Sequence, residues 1–410
     1  MENERYVSLD AIRGFAVMGI LLMNIVAFAM PETAYFNPAA YGGTRTADLI
    51  SWATMFVLVD SKMRSLFSML FGASMLLVYE RAQDKDGNGA QVHLKRMLWL
   101  LLFGLIHFYF IWFGDILFLY AGCGIVGLFL LNKDEGQLKR LATWLISANF
   151  ILFGSMIIIF WIIAFVTSQP GADADLIKSH SELMADIGNP TLSAAAKDVA
   201  LHLGTYAQII WDRLSNKTFD PLWGFASSAL ETLGLMALGM MFMRNGFLTG
   251  EWDEARYAKT MKRAYLIGIP PSIGLAIWSW LSGFDPVVVL GNMMAWSTPF
   301  RIAVMIGHAA LFMLITKRFA RSEWMARIVA TGQAAFSNYI GTSILMTFLF
   351  YGYGFGWYGQ ISRVEAYAVV PVVWLLMLLW SKPWLDRFRY GPLEWLWRSL
   401  ARGELQTMTR

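Results

Sequence analysis

One cysteine, Cys123, in a chain of 410 residues leaves no intrachain disulfide and no cysteine-based metal site. Charge is also scarce. Asp, Glu, Lys and Arg make up 15% of the residues, against 57% apolar ones, and the mean hydropathy is +0.49. A soluble domain of this size with that balance would carry too oily a surface to stay dispersed. The spacings His-x-x-x-His and Glu-x-x-His are missing, so no metal is expected. Serine-nucleophile and phosphate-loop patterns are missing too. A net charge of +4 gives no reason to expect a nucleic-acid partner. No repeat of fixed period stands out, which weakens an inverted-repeat transporter reading. The first apolar run contains Arg13 with no small-residue cleavage site after it, so a cleavable signal peptide is not expected there.

What the chain does have is long apolar runs. Windows of about 20 residues, the length that crosses a bilayer, predict about ten spans. They lie near 11–30, 49–79, 97–113, 116–131, 141–166, 221–243, 264–281, 287–316, 331–352 and 365–381. The expected fold is therefore an all-α, polytopic membrane bundle forming a single domain over 1–410. The second run is too long for one straight crossing and holds charges near its middle, which predicts a break around Asp60–Lys62.

Basic residues set the orientation. Of 33 Lys and Arg, only Arg45, Lys178, Lys197, Arg213, Lys217 and Arg363 fall on one side, with Lys62, Arg64 and Arg301 inside spans. All the others lie on the opposite side, which the positive-inside bias makes cytoplasmic, with both termini. The expected location is a bacterial inner membrane. The loop near 167–220, with Pro170, Gly171, Gly188 and Pro190, is then extracytoplasmic, and Thr191–Trp211 within it reads as a helix on the membrane surface. Aromatics mixed with charges predict a cytoplasmic interfacial helix near 389–402.

Ionisable and polar residues inside spans are functional candidates by default, because lipid penalises them. On the first span Arg13 and Asn24 are 11 residues apart, which returns them to nearly one helix face, and Asp10 is placed to pair with Arg13. Snorkelling of Arg13 and an interhelical bond from Asn24 are the structural alternative. Asp60 and Arg64, at i,i+4, are expected to neutralise each other, leaving Lys62 for an anion or a distant carboxylate. His107, inside a run that turns at Gly114–Asp115, is the candidate proton-transfer residue, with Asp115 either assisting it or capping the next helix. A packing histidine is the alternative. His308 shares a face with Arg301 and reads as a ligand contact or an interhelical bridge.

Five blocks carry a family resemblance: Arg5 to Asn24, Lys62 to Gly72, Gly104–His107 with Gly114–Ala121, Phe336-Ser-Asn338-Tyr339, and Gly391 to Arg398. They resemble the YeiB-like bacterial inner-membrane proteins, a branch similar to the transmembrane acyltransferase superfamily. That superfamily includes the lysosomal enzyme that acetylates heparan glucosamine and bacterial enzymes that O-acetylate surface glycans. The resemblance implies transfer of an acyl group from cytoplasmic acyl-CoA, such as acetyl-CoA, to a small-molecule or glycan acceptor on the far side. The glycan-acetylating branch uses Arg-x10-His on its first span. Arg13 matches the arginine, but Asn24 stands at the histidine and cannot act as a base. Either His107 supplies the base from another helix or the activity is absent.

The expected substrate contacts are Asp10, Arg13, Asn24, Lys62, Arg64, Arg301, His308 and Asn338, with His107 and Asp115 catalytic. The bilayer is the expected surrounding, and a homodimer is left open. Two rival readings remain at this point. In one, the chain exports or imports a small anionic solute through Arg13, Lys62, Arg64 and Arg301, with His107 as a proton relay. In the other it is a non-catalytic membrane scaffold.

Overall fold

The computed structural model describes residues 6–187 and 192–410, so Gly188, Pro190 and Thr191 lie outside the described residues. The chain crosses its bundle ten times. It rises through α1 (Val7–Ala29), passes a short α2 (Glu32–Phe36), and returns through α3 (Thr46–Leu58) and α4 (Lys62–Asp86). It climbs α5 (Gly89–Ile106), which ends in a π turn at His107–Ile111, and descends α6 (Leu117–Val126). After α7 (Glu135–Thr167) comes a lid of three helices, α8 (Ala174–Ile187), α9 (Leu192–His202) and α10 (Tyr206–Ser215). The chain then descends α11 (Asp220–Arg244), climbs α12 (Glu254–Leu281), and descends through α13 (Pro286–Gly291), a π turn at Asn292–Trp296, and α14 (Thr298–Arg318). The last two crossings are α15 (Glu323–Gln333) with α16 (Ala335–Phe350), and α17 (Arg363–Arg387), before the tail helix α18 (Pro392–Arg402).

Seven of these spans are long and apolar enough to cross a membrane: α1, α5 with its π turn, α7, α11, α12, α14 and α17. The shorter apolar α6 and α16 and the interrupted α3–α4 complete the set. The protein is a polytopic membrane helix bundle. Hydrogen bonds tie the connections into two separate ends. At the lid end, Asn37 donates to the Phe284 carbonyl (2.9 Å), Tyr41 to that of Gly359 (2.8 Å), and the Gly352 N–H to that of His202 (2.8 Å). At the tail end, Ser8 donates to the Leu248 carbonyl (2.9 Å), Lys317 to Trp252 (2.7 Å) and Trp397 to Arg96 (2.8 Å).

The predicted break in the second run is present. The helix stops at Leu58 and restarts at Lys62, with Ser61 in the left-handed region (φ 61°). Two further runs read as single spans are also interrupted, by the π turn before α14 and by Ala334 between α15 and α16. The surface helix expected over Thr191–Trp211 is instead two helices, α9 and α10. Thr205 starts the second with a capping box to Gln208, a local signal that outweighs continuation of the first.

Burial separates the spans. In the most apolar window of α1, 78% of the residues are buried, against 17% in α7, so α1 runs through the centre and α7 along the rim. Close crossings fix the rest. A Cβ on Gly72 of α4 would sit 2.2 Å from the Met236 carbonyl oxygen, and one on Gly239 of α11 would sit 1.8 Å from that of Met69. No side chain fits at either position, so α4 and α11 touch backbone to backbone, the contact small residues provide in membranes. Both helices run from the lid end to the tail end. Arg64 and Glu231 each lie eight residues, about 12 Å, before the crossing glycine of their helix, and so come level with one another.

Candidate functional site

Between α1, α4, α6, α7, α11 and the two π turns lies a cavity of about 630 Å³. Glu32, Phe36, Asp220 and Pro221 form its mouth at the lid end, and Arg64, Glu231 and Arg301 form its floor. Its upper wall is aromatic, with Phe108, Trp112, Phe113, Phe118 and Phe225. Asn24, Asp115 and Asn149 also line it. The volume falls in the usual range for small-molecule sites.

The floor is a charge triad. One oxygen of the Glu231 carboxylate accepts from Arg64 Nη2 (2.8 Å), and the other from Arg301 Nε (2.9 Å) and Nη2 (2.6 Å). Arg301 spends a further donor on the Met293 carbonyl (2.7 Å), in the π turn before α14. Arg64 makes no other side-chain hydrogen bond among the described residues. The expected Asp60–Arg64 pair is not formed. The i,i+4 rule holds only within a continuous helix, and the chain breaks at Ser61 between the two residues. Asp60 lies instead within electrostatic reach of Lys62 and Arg363.

The upper wall holds the histidine. The π turn closes with the Trp112 N–H donating to the His107 carbonyl (2.8 Å), and the chain folds back so that Asp115 Oδ1 meets His107 Nδ1 at 2.9 Å. The other oxygen of Asp115 caps α6 by accepting from the Phe118 N–H (2.7 Å). Asp115 therefore both pairs with His107 and caps α6. With the carboxylate as acceptor, Nδ1 carries the proton and Nε2 the lone pair. That Nε2 is buried with no hydrogen-bond partner in the structure. His107 does not itself line the cavity: it is fully buried, beside Trp112 (6.3 Å between ring centres) and Tyr339 (5.0 Å). Gly114 leaves room for the Trp112 ring, which would lie 2.2 Å from a Cβ there.

The lid rests on this turn. Tyr206 donates to the Phe110 carbonyl (2.7 Å), Arg213 reaches that of Tyr109 (3.5 Å), and Tyr109 donates to that of Thr218 (2.6 Å). In the lid, Asp198 accepts from Tyr358 of the α16–α17 connection (2.7 Å) and pairs with His202 (3.3 Å). Burial works against the Asp198 charge, but His202, Tyr358 and the charge of Lys217 outweigh it and hold its pKa below the ordinary carboxylate value.

Five of the expected contacts lie elsewhere. Arg13 pairs with Asp10 (2.8 Å) and donates to Ser74 (2.8 Å) toward the tail end. Lys62, only 1% exposed, donates to the Phe56 carbonyl and lies over the Phe56 ring, outside the cavity lining. His308 is an interhelical bridge: Nε2 meets the Leu58 carbonyl and Nδ1 the Tyr265 hydroxyl, each at 2.8 Å. Asn338 donates to the Thr331 carbonyl and to Ser381 (both 3.1 Å) and accepts from Trp380 (2.8 Å), locking α16 to α15 and α17. Burial of these groups is thus explained by packing and hydrogen bonding. Conversely, sequence reasoning passed over Glu231 and Asn149. Each is an isolated polar residue in an apolar run, the same signal that singled out Arg301.

Residues 242–404 match a family described as a protein of unknown function (DUF418). Aligned over 410 residues, the chain is 32% identical to the uncharacterized protein YeiB of Escherichia coli (strain K12), covering 97% of this chain and 96% of the relative. It is 28% identical to the uncharacterized protein YxaH of Bacillus subtilis (strain 168), covering 97% and 94%. No solved structure matches it. The identity to YeiB runs over nearly the whole of both chains, and the chain belongs to the YeiB-like family.

Proposed function

We propose that this protein is an acyltransferase of a bacterial inner membrane, moving an acetyl or other acyl group from cytoplasmic acyl-CoA to a hydroxyl or amine acceptor. The acceptor, a glycan or another small molecule, enters from the lid end. The observation that carries the reading is the cavity open at the lid end, with Asp115 in its wall, His107 behind Asp115, and Nε2 of that histidine without a partner. In this reading the lid end is extracytoplasmic, since the tail end carries most of the Lys and Arg.

The chemistry balances without a metal. His107 Nε2 takes the proton of the acceptor O–H or N–H as the acceptor atom bonds to the thioester carbonyl carbon. The C–S bond then breaks, and the CoA thiolate leaves with the proton returned by His107. Asp115 holds the ring in the required tautomer. Trp112, which lines the cavity next to His107, must swing to admit the acceptor. Asn24 lines the same cavity and makes no hydrogen bond to the described residues, so its amide serves as a donor to the developing oxyanion. This gives the asparagine at the histidine position of the related branch a role other than base. The donor approaches from the tail end, where Arg13 and the basic loops attract its phosphates. The test is release of free CoA from acetyl-CoA by purified protein supplied with a panel of hydroxyl and amine acceptors. Wild type should release it and His107→Asn should not; no release with any acceptor counts against the reading.

A second reading has its own observation. Between Arg13 and the cavity, Ala16, Val17, Leu66, Met69 and Leu70 are all at most 2% exposed, so these side chains fill the path from the tail end and an acyl-CoA arm has to displace them to reach the cavity. One-sided access to a buried arginine also suits a transporter of a small anionic solute. Counterflow of a labelled organic acid in proteoliposomes, without acyl-CoA, distinguishes the two.

A further inference from the structure

We infer that the cavity floor is a binding site for an acid group, and that the ligand taken there is an organic acid that also carries a hydroxyl or amine. Three observations carry this. Arg64 commits a single N–H to Glu231, and the rest of its guanidinium makes no hydrogen bond among the described residues, although its side chain is only 21% exposed and lines the cavity. A guanidinium in that state presents a planar edge matched to a carboxylate or phosphate.

Charge points the same way. Glu231 is shared between Arg64 and Arg301, all three lie in membrane-spanning helices, and one carboxylate leaves two guanidiniums with a net positive charge. Arg301, with Nε and both Nη atoms engaged, is the anchored member; Arg64 is the one left facing space. Low-dielectric surroundings make an uncompensated charge costly, and an anionic ligand in the cavity compensates it.

The third observation supplies the other half of the ligand. Asn149, on α7 and 2% exposed, lines the same cavity, and its side-chain oxygen is buried with no hydrogen-bond partner among the described residues. A buried acceptor of this kind is expensive unless a donor meets it. A ligand with an acid group for Arg64 and an O–H or N–H for Asn149 satisfies both. A cavity of about 630 Å³ has room for a sugar acid or a phosphorylated polyol.

This deepens the acceptor side of the proposed function and rests on the cavity being the acceptor's, but its test needs no acyl-CoA. The purified protein is titrated by calorimetry with glycerol 3-phosphate and glucuronate, and with glycerol and glucose as their uncharged counterparts. The acids should bind at least tenfold more tightly than the uncharged pair. Arg64→Gln leaves Glu231 its pair with Arg301 and should weaken acid binding by about 10- to 100-fold, the range for a hydrogen bond to a charged group. Asn149→Leu, which fills the volume without an acceptor, should weaken it by about 3- to 10-fold. Equal binding of charged and uncharged probes, no binding of either acid, or full affinity in Arg64→Gln overturns the inference. If the acids bind and acetyl transfer is never seen, the site stands and the acyltransferase reading falls. If transfer proceeds to uncharged acceptors and the acids do not bind, the reverse holds.

Discussion

Two buried histidines sit in neighbouring parts of one bundle, and they have different amounts left to do. His308 uses both ring nitrogens, one on the Leu58 carbonyl and one on Tyr265, and joins three helices. His107 uses one, on Asp115, and keeps the other unpaired among the described residues. The contrast extends beyond histidine. Asn338 has both ends of its amide engaged, whereas Asn24, on the cavity wall, engages neither with the described residues. Arg301 has three of its nitrogens bound, whereas Arg64 has one. His308 and Asn338, away from the cavity, are consumed in holding helices together, whereas Arg64 and Asn24 in its lining retain donors and acceptors.

The contrast can be broken by substitution. Glu231→Gln keeps the shape of the floor but leaves two buried guanidiniums without a countercharge, which should cost about 3–5 kcal/mol. A shifted midpoint of unfolding in mixed SDS micelles measures it, and an unchanged midpoint would mean the triad is not a structural element. His308→Phe should cost less, about 1–3 kcal/mol, by stranding the Leu58 carbonyl and the Tyr265 hydroxyl. It should leave ligand affinity in the cavity within twofold of wild type, and a large loss of affinity would erase the distinction between the two histidines. The asparagines make the finest comparison. Asn338→Ala leaves the Trp380 N–H and Ser381 unpaired, for about 1–2 kcal/mol, whereas Asn24→Ala removes no hydrogen bond and should change stability by less than about 0.5 kcal/mol. Matching losses in the same micelle assay would show that Asn24 is a packing residue after all.

Much of the architecture was legible because hydropathy and charge act locally. Each apolar run became a helical crossing, and the break at Asp60–Lys62 followed from a run too long to cross straight with charges in its middle. The pairing of His107 with Asp115 was also within reach, since the two are only eight residues apart. Legibility ended where partners are distant in sequence. Nothing in the neighbourhood of Arg64 points to Glu231, 167 residues away, and helical spacing pointed wrongly to Asp60 because the helix is broken between Leu58 and Lys62, where Asp60 lies. The saturation of His308 and Asn338 was invisible for the same reason: their partners lie on other spans. A residue's type shows what it can bond, and only the fold shows whether that capacity is already used.

The central claim is that the unpaired nitrogen of His107 moves the acceptor's proton. Its most direct test is acetyl transfer in sealed proteoliposomes with labelled acetyl-CoA supplied at the tail end and the acceptor at the lid end. His107→Asn should lower turnover by about 10²- to 10⁴-fold with acetyl-CoA affinity unchanged, while His308→Asn, once corrected for folded protein, keeps most of the wild-type rate. Equal rates in wild type and His107→Asn, or a loss confined to His308→Asn, would contradict the account.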